Sequence, residues 1–558
     1  MTTLTRPHAP SFADLFTPKL ITVLREGYGL AGLRADFVSG LTVAIVALPL
    51  SMAIAMASGT TPERGLYTAI VGGFFVSALG GSRYQIGGPA GAFIVLVAMT
   101  AEQHGLSGLL LATFLSGIFL AAIGLLRLGT YVKFIPYPVT VGFTAGIGVI
   151  IFSSQITDLL GLTLTVKEPA ALIPKLQVLT GALSTISPSA FGVSLLTIVT
   201  IVGIKKVAPA WPNLLIAVAL ASVAVLVLGL PVETIGTRFG GIPSSLPAPV
   251  LPDLSPAKVM AVLPNAAAFA MLGAIESLLS AVVADGMTGR RHRSNCELVA
   301  QGVANMASAI FGGICVTGTI ARTATNVRAG ARSPVSGMLH SLFVLLFIVV
   351  AAPLASYIPL AALAGLLAVV SWNMVEKHAI GALLRSGWGD ALVLLSTLLL
   401  TIFRDLTEGI VVGFTLGTLL FLHRMSQAVG VEAAPLAVED EADADVPAPT
   451  GPQADSDTLI YRLSGAFFFG AASTVGAVLD SISRLPKRFV LDFSAVPFVD
   501  STAAAMLESF AHKMQRAGVR VIVTGTTPAI RRVLWSHGLR SPLVRYRRTV
   551  DGPSRTGG

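Results

Sequence analysis

Between residues 37 and 422 the chain repeats one pattern, a long apolar run closed by a short polar or glycine-rich break. Full-length runs lie at 37–57, 63–80, 105–126, 137–157, 190–204, 212–230, 265–284, 333–354, 388–403 and 408–422. Weaker runs lie at 295–312 and 359–373, and two short glycine-flanked runs at 89–101 and 319–330. A helix crosses the hydrocarbon layer with about 20 residues. The pattern therefore predicts an α-helical polytopic membrane protein of about fourteen segments.

Basic residues give the expected orientation. The even-numbered loops carry Arg83; Arg127 and Lys133; Lys205 and Lys206; Arg290, Arg291 and Arg293; Arg328 and Arg332; Lys377 and Arg385. The odd-numbered loops are poorer, with Arg64, Lys167, Lys175, Arg238, Lys258 and Arg404. Positive charge stays on the cytoplasmic side. Both termini are thus expected in the cytoplasm of a cell whose inner (plasma) membrane holds the chain.

Composition agrees. The chain is 53% hydrophobic and 12% charged, against about a quarter charged in soluble domains. The net charge of +9 is read as loop charge, so no nucleic-acid partner is expected. Residues 1–35, broken by Pro7 and Pro10, lack the apolar core of a cleavable signal. They are expected to be a cytoplasmic segment, with the first span as its own insertion signal. Cys296 and Cys315 have no metal-ligand spacing. No nucleophile–base set or phosphate loop is present, so neither an enzyme nor a cofactor is expected.

The character changes after 425. Residues 426–457 read as an acidic linker, rich in Glu and Asp among Ala and Pro from 432 onward. Residues 458–550 read as a soluble α/β domain. TLIYRLSG, RFVLDFS and VRVIVTG are expected strands, and 471–484, 501–517 and 527–538 expected helices. A disordered tail is expected at 551–558.

The transport region, 36–425, holds two chemical clues. The first is the pair of short segments. One follows Gly87, Gly88, Pro89, Ala90 and Gly91; the other follows Gly312, Gly313, Gly318, Thr319, Ala321 and Arg322. Each reads as an extended stretch leading into a half-helix, with Pro89 in a first turn. Interrupted segments at matching positions of two halves point to an inverted repeat with a midplane site. Helix N-termini offer free N–H groups and partial positive charge, which suit an anion. Thr319 could add a hydroxyl donor and Arg322 a full charge, although Arg322 could instead satisfy carbonyls or a carboxylate. The second clue is Glu276, in mid-span, with Ser280 one turn on. A carboxylate there must be paired, protonated or ion-bound. It is a candidate proton carrier, sodium ligand or partner of Arg322.

These residues resemble the sulfate permease family, also called solute carrier family 26. The resemblance rests on ADFVSGLTVAIVALPLSMAIA, PERGLYTA, GGSRYQIGGPAGAF, ESLLSAVVADGMTG, SNCELVAQGVAN and RTATNVRAGARSPVSG. LDFSAVPFVDSTAAAML resembles the core of a STAS domain. The resemblance implies a 7+7 inverted repeat with core and gate domains, an elevator motion and a homodimer in lipid. It implies a small-anion site between the third and tenth segments, at Gly88, Ala90, Gly91, Gly318, Thr319, Ala321 and Arg322, with Glu276 and Ser280 for coupling to a proton or sodium. Many sulfate-type members have Pro-Gln-x-Met-Ala-Tyr in the first segment. This chain has Pro49-Leu50-Ser51-Met52-Ala53-Ile54, which resembles C4-dicarboxylate and sodium–bicarbonate carriers. The bicarbonate type has Asp and Thr where this chain has Glu276 and Ser280; the dicarboxylate type has Glu. The expectation is a proton-coupled symporter of fumarate or succinate. The alternatives are a bicarbonate or sulfate transporter, an anion channel, or a sensor signalling through the STAS domain. In that domain Asp500-Ser501-Thr502 is expected to cap a helix, the serine being the position near which some relatives are phosphorylated.

Overall fold

The computed structural model describes residues 12–129, 136–166, 168–169, 172–209, 211–404, 406–427, 430–433, 458–468 and 486–547. It forms two compact units, Met1–Phe414 and Thr415–Gly558.

The first unit is helical. Its elements are α1 (Leu30–Ala57), α2 (Pro62–Tyr67), a π-turn (Thr68–Gly72), α3 (Gly73–Leu79), β1 (Gly87–Gly88), α4 (Ile94–Leu125), α5 (Tyr137–Leu160), α6 (Pro188–Val207) and α7 (Asn213–Leu228). The second half continues with α8 (Pro256–Thr288), α9 (Ser294–Ile310), β2 (Thr317–Gly318), α10 (Ile320–Arg328), α11 (Val335–Ala355), α12 (Leu360–Met374), α13 (Trp388–Phe403) and α14 (Leu406–Gln427), which leads into the second unit. Eight of the helical stretches among the described residues are long and apolar enough to cross a membrane, and two shorter ones are also apolar.

Each expected segment corresponds to one of these pieces, with three differences. The run 63–80 is helical only with a π-turn in its middle, a widening that often accompanies function. The runs 89–101 and 105–126 are joined through Gly105, whose φ of 66° breaks the helix between them. A left-handed residue there costs glycine little. Pro89 is not in a first turn: helical structure begins at Gly91, and Pro89 lies in the extended lead-in.

Small residues allow the helices to meet. A Cβ on Gly302 of α9 would lie 2.6 Å from the Ala121 amide nitrogen of α4. Two backbones approach that closely only across glycine. Phe93 and Phe269 meet edge-on, with centroids 6.0 Å apart, in the buried layer between α4 and α8.

The second unit is a five-stranded sheet, β3 (Gly430–Ala433), β4 (Thr458–Ser464), β5 (Arg488–Ala495), β6 (Arg520–Thr524) and β7 (Val544–Tyr546), in that spatial order. β4 to β7 are parallel, and β3 is antiparallel to β4. α15 (Ser501–Arg516) and α16 (Pro528–Ser536) pack on it through Leu507, Phe510, Ile530 and Leu534. The three expected strands and two of the expected helices are present. β3 occupies residues given to the linker: its short sequence has little strand character of its own, and its place comes from the free edge of β4. Asp500 caps α15, accepting from the Ala503 amide at 2.8 Å, as expected of that turn. Residues 434–457 of the linker, the expected helix at 471–484 and the tail at 551–558 lie outside the described residues.

Candidate functional site

The two half-helices are brought together by their extended lead-ins. β1 pairs antiparallel with β2, Gly87 opposite Gly318 and Gly88 opposite Thr317. Beyond this bridge one chain turns into the helix that starts at Gly91 and the other into α10. Gly88, Ala90, Gly91, Gly318, Thr319 and Arg322 therefore share one place, although more than two hundred residues separate the two sets.

Arg322 dominates the place electrostatically. It is 1% exposed. Its Nη2 donates to the Pro89 carbonyl at 3.2 Å, while Nε and Nη1 have no hydrogen-bond partner. Gly88 makes this posture possible, since a Cβ there would overlap Nη1. Gly318 does the same for Gln85, whose amide occupies the space of the missing side chain. Gln85 Nε2 donates to Ser277 Oγ at 2.8 Å, tying the lead-in to α8.

Thr319 departs from expectation. Its hydroxyl donates to the Ile86 carbonyl at 3.2 Å, and its amide donates to the same oxygen at 3.0 Å. The side chain thus serves the crossover and is not a free donor. Ala321, in the first turn of α10, is exposed.

Glu276 and Ser280 do not converge. Ser280 Oγ donates to Thr323 Oγ1 at 3.0 Å, and that oxygen also accepts from the Ile86 amide. Glu276 is 7% exposed and lines a small cleft with Val139, Thr140, Phe143 and Thr144 of α5 and Ile410 of α14. Among the described residues no ion pair joins Glu276 to Arg322, and no cluster of three His, Cys, Asp or Glu could hold a metal ion. The reading of Glu276 as the structural partner of Arg322 is not what the geometry shows: Glu276 faces α5, and Arg322 donates to the Pro89 carbonyl.

Sequence reasoning missed Gln85, Thr323 and Glu297. Glu297, fully buried, accepts from the Gly81 and Ser82 amides at 2.8 and 3.0 Å. A signal for it existed: Glu297, Gln301 and Asn305 recur every four residues along one face of an expected span.

Comparison with known proteins decides the kind of molecule. Residues 33–397 match the sulfate permease family and residues 451–551 the STAS domain. The chain belongs to the sulfate permease family. It is an anion transporter of that family, a multi-pass membrane protein and not an enzyme. It is similar to the Bacillus subtilis protein YvdB, which carries a provisional sulfate-transporter name, at 39% identity over 92% of this chain and 95% of that one. It is also 31% identical, over 90% of each chain, to the bicarbonate transporter BicA of Picosynechococcus sp.. Among solved structures it resembles the transmembrane domain of a cyanobacterial BicA (32% identity, TM-score 0.61, 70% of this chain and 98% of that one). Murine solute carrier 26 family member A9 in the inward-facing state shares the fold, at 17% identity, with a TM-score of 0.84 over 98% of this chain and 95% of that one.

Proposed function

We propose that this sulfate permease family member is a proton-coupled symporter of C4-dicarboxylates such as fumarate and succinate. It works as a homodimer in the cell inner membrane, with termini and STAS domain in the cytoplasm, and moves its substrate by an elevator displacement. The anion binds between the half-helix starts at Gly88, Ala90 and Gly91 and at Gly318, Thr319, Ala321 and Arg322. The observation that carries this reading is Arg322, buried with two of its three guanidinium nitrogens unsatisfied. A buried, incompletely bonded cation is costly. A carboxylate offers the charge and the acceptors it lacks. With two helix ends of roughly half a charge each, the site offers about two positive charges, a match for a dianion.

Glu276 supports a proton over sodium. It stands without a hydrogen bond or ion pair among the described residues, and Ser280 is engaged by Thr323. Sodium wants several converging oxygens, whereas a lone carboxylate needs only a proton. Neutralising Glu276 removes a negative charge opposed to the incoming anion, so proton and substrate favour each other's binding, as linkage requires. A second reading, bicarbonate transport, is favoured by the similarity to the cyanobacterial bicarbonate transporter.

The test is uptake of labelled fumarate into proteoliposomes in sodium-free buffer, with and without an inward proton gradient. Saturable uptake that grows with the gradient is expected, and Glu276→Gln should take up fumarate with no response to the gradient. Sodium-dependent bicarbonate uptake with no fumarate uptake would establish the second reading. Large uncoupled currents would make the protein a channel.

A further inference from the structure

We infer that Arg64 and Glu297 are positioning residues that brace the two half-helix starts against each other, each acting on the opposite half of the transporter. α3 leads into the loop before β1, and α9 leads into the loop before β2. The helix of each half holds the other half's loop. Glu297, in the first turn of α9, accepts the Gly81 and Ser82 amides of the β1 lead-in through one oxygen, Oε2. The Arg293 amide adds a bond to the Gly81 carbonyl at 2.9 Å. In return, Arg64 of α2 donates from Nη1 to the Gly312 carbonyl of the β2 lead-in at 2.7 Å. Thr68, one turn on, accepts the Ile314 amide at 2.8 Å. The loops leave no slack at these points: Cβ atoms on Gly81 and Gly313 would collide with the Arg293 backbone and with Ser308 and Thr68.

Neither brace touches the candidate anion site, but both end within a few residues of the β1–β2 bridge. That bridge sets where Gly88 stands relative to Arg322. A half-helix start aims its N–H groups only as well as its lead-in is fixed. Loss of a brace therefore loosens the register of the bridge and weakens anion binding, leaving the moving parts intact. The roles differ in chemistry. Glu297 supplies a carboxylate oxygen to two amides. A glutamine carbonyl can take that place, because Gln301, which donates to Glu297 Oε1 at 3.2 Å, has an unpartnered Oε1 that can turn to face the new amide. Glu297→Gln is thus the rescuing variant and Glu297→Ala the breaking one.

The inference needs the anion site of the previous subsection for its kinetic arm but not for its structural arm. The structural arm is amide hydrogen exchange of the full-length protein in nanodiscs, which requires no substrate. Glu297→Ala should speed exchange at 81–88 and also across the bridge at 317–319. Arg64→Ala should speed it at 312–319 and at 86–88. Glu297→Gln should match the wild type. Thr68→Val, which removes one acceptor while keeping shape, should act in the same direction more weakly if the alanine variants do not fold. The kinetic arm is labelled fumarate uptake: KM should rise about tenfold in Glu297→Ala with Vmax within about twofold, the pattern of lost binding. KM should return to wild type in Glu297→Gln. Faster exchange confined to 81–83 in Glu297→Ala, with none beyond the bridge, overturns the inference. So does a fall in Vmax with KM unchanged. If fumarate is not transported at all, the exchange result still decides the brace, and only the substrate reading fails.

Discussion

The two half-helix starts are built on one plan, an extended glycine-bearing lead-in followed by a helix, yet they are furnished differently. The first, Gly87 to Gly91, offers backbone and space: its residues carry no polar side chain, and its Pro89 carbonyl receives Arg322. The second, Thr317 to Arg322, carries the charge, while its two threonine hydroxyls are bonded to backbone carbonyls. The lesson is that the charge does its work over the other half's glycine. Arg322 belongs to α10 by sequence, but the space it occupies belongs to Gly88. On the proposed reading the two junctions complement each other, one with room and no charge, the other with the charge.

That division can be broken residue by residue. Arg322→Ala removes the charge and should have the largest effect. Lost charge-assisted hydrogen bonds of about 2–5 kcal/mol predict a fall in uptake of roughly thirtyfold to several thousandfold, read as initial rates in proteoliposomes. Gly88→Ala leaves the charge and removes its space. Overpacking by one methyl costs about 1–3 kcal/mol, which predicts a KM increase of roughly five- to 150-fold. Thr319→Val cuts the hydroxyl bond to the Ile86 carbonyl while its amide bond persists. A loss of about 1 kcal/mol should raise KM several-fold. Gly91→Ala should do least, below about twofold, because the new methyl meets the flexible tip of Ile151 at 3.1 Å. If Gly91→Ala proved as harmful as Gly88→Ala, the first junction would be a tight cradle along its whole length, and the division of space from charge would be wrong.

Much of this arrangement was legible in the sequence because it is local. Gly87, Gly88 and Pro89 followed by an apolar run announce a lead-in and a half-helix, and so do Gly312, Gly313 and Gly318 followed by Arg322. Hydrophobic runs of span length place nearly every helix to within a few residues. Contacts between distant segments were not legible. Arg322 meets Pro89 across 233 positions and Ser280 meets Thr323 across 43, and periodicity within a window carries no information about partners so far away. Ser280 was grouped with Glu276 because a helix places i and i+4 on one face. The structure shows what that rule omits, since the hydroxyl of Ser280 is engaged by α10 while Glu276 faces α5. In the second unit, β3 escaped notice for the same reason: its existence depends on the edge of β4.

The bond from Glu297 to the Gly81 amide spans 216 positions, and this has a consequence for biogenesis. A ribosome extending at roughly 5–20 residues per second exposes Gly81 and Ser82 some 10–40 s before their acceptor exists. Through that interval the Gly81 and Ser82 amides lack the carboxylate that holds them in the folded chain. On the proposed brace, the lead-in of the first half is a clasp that shuts only when the ninth span arrives. A chain truncated before that span would present the membrane quality-control machinery with the same two open amides.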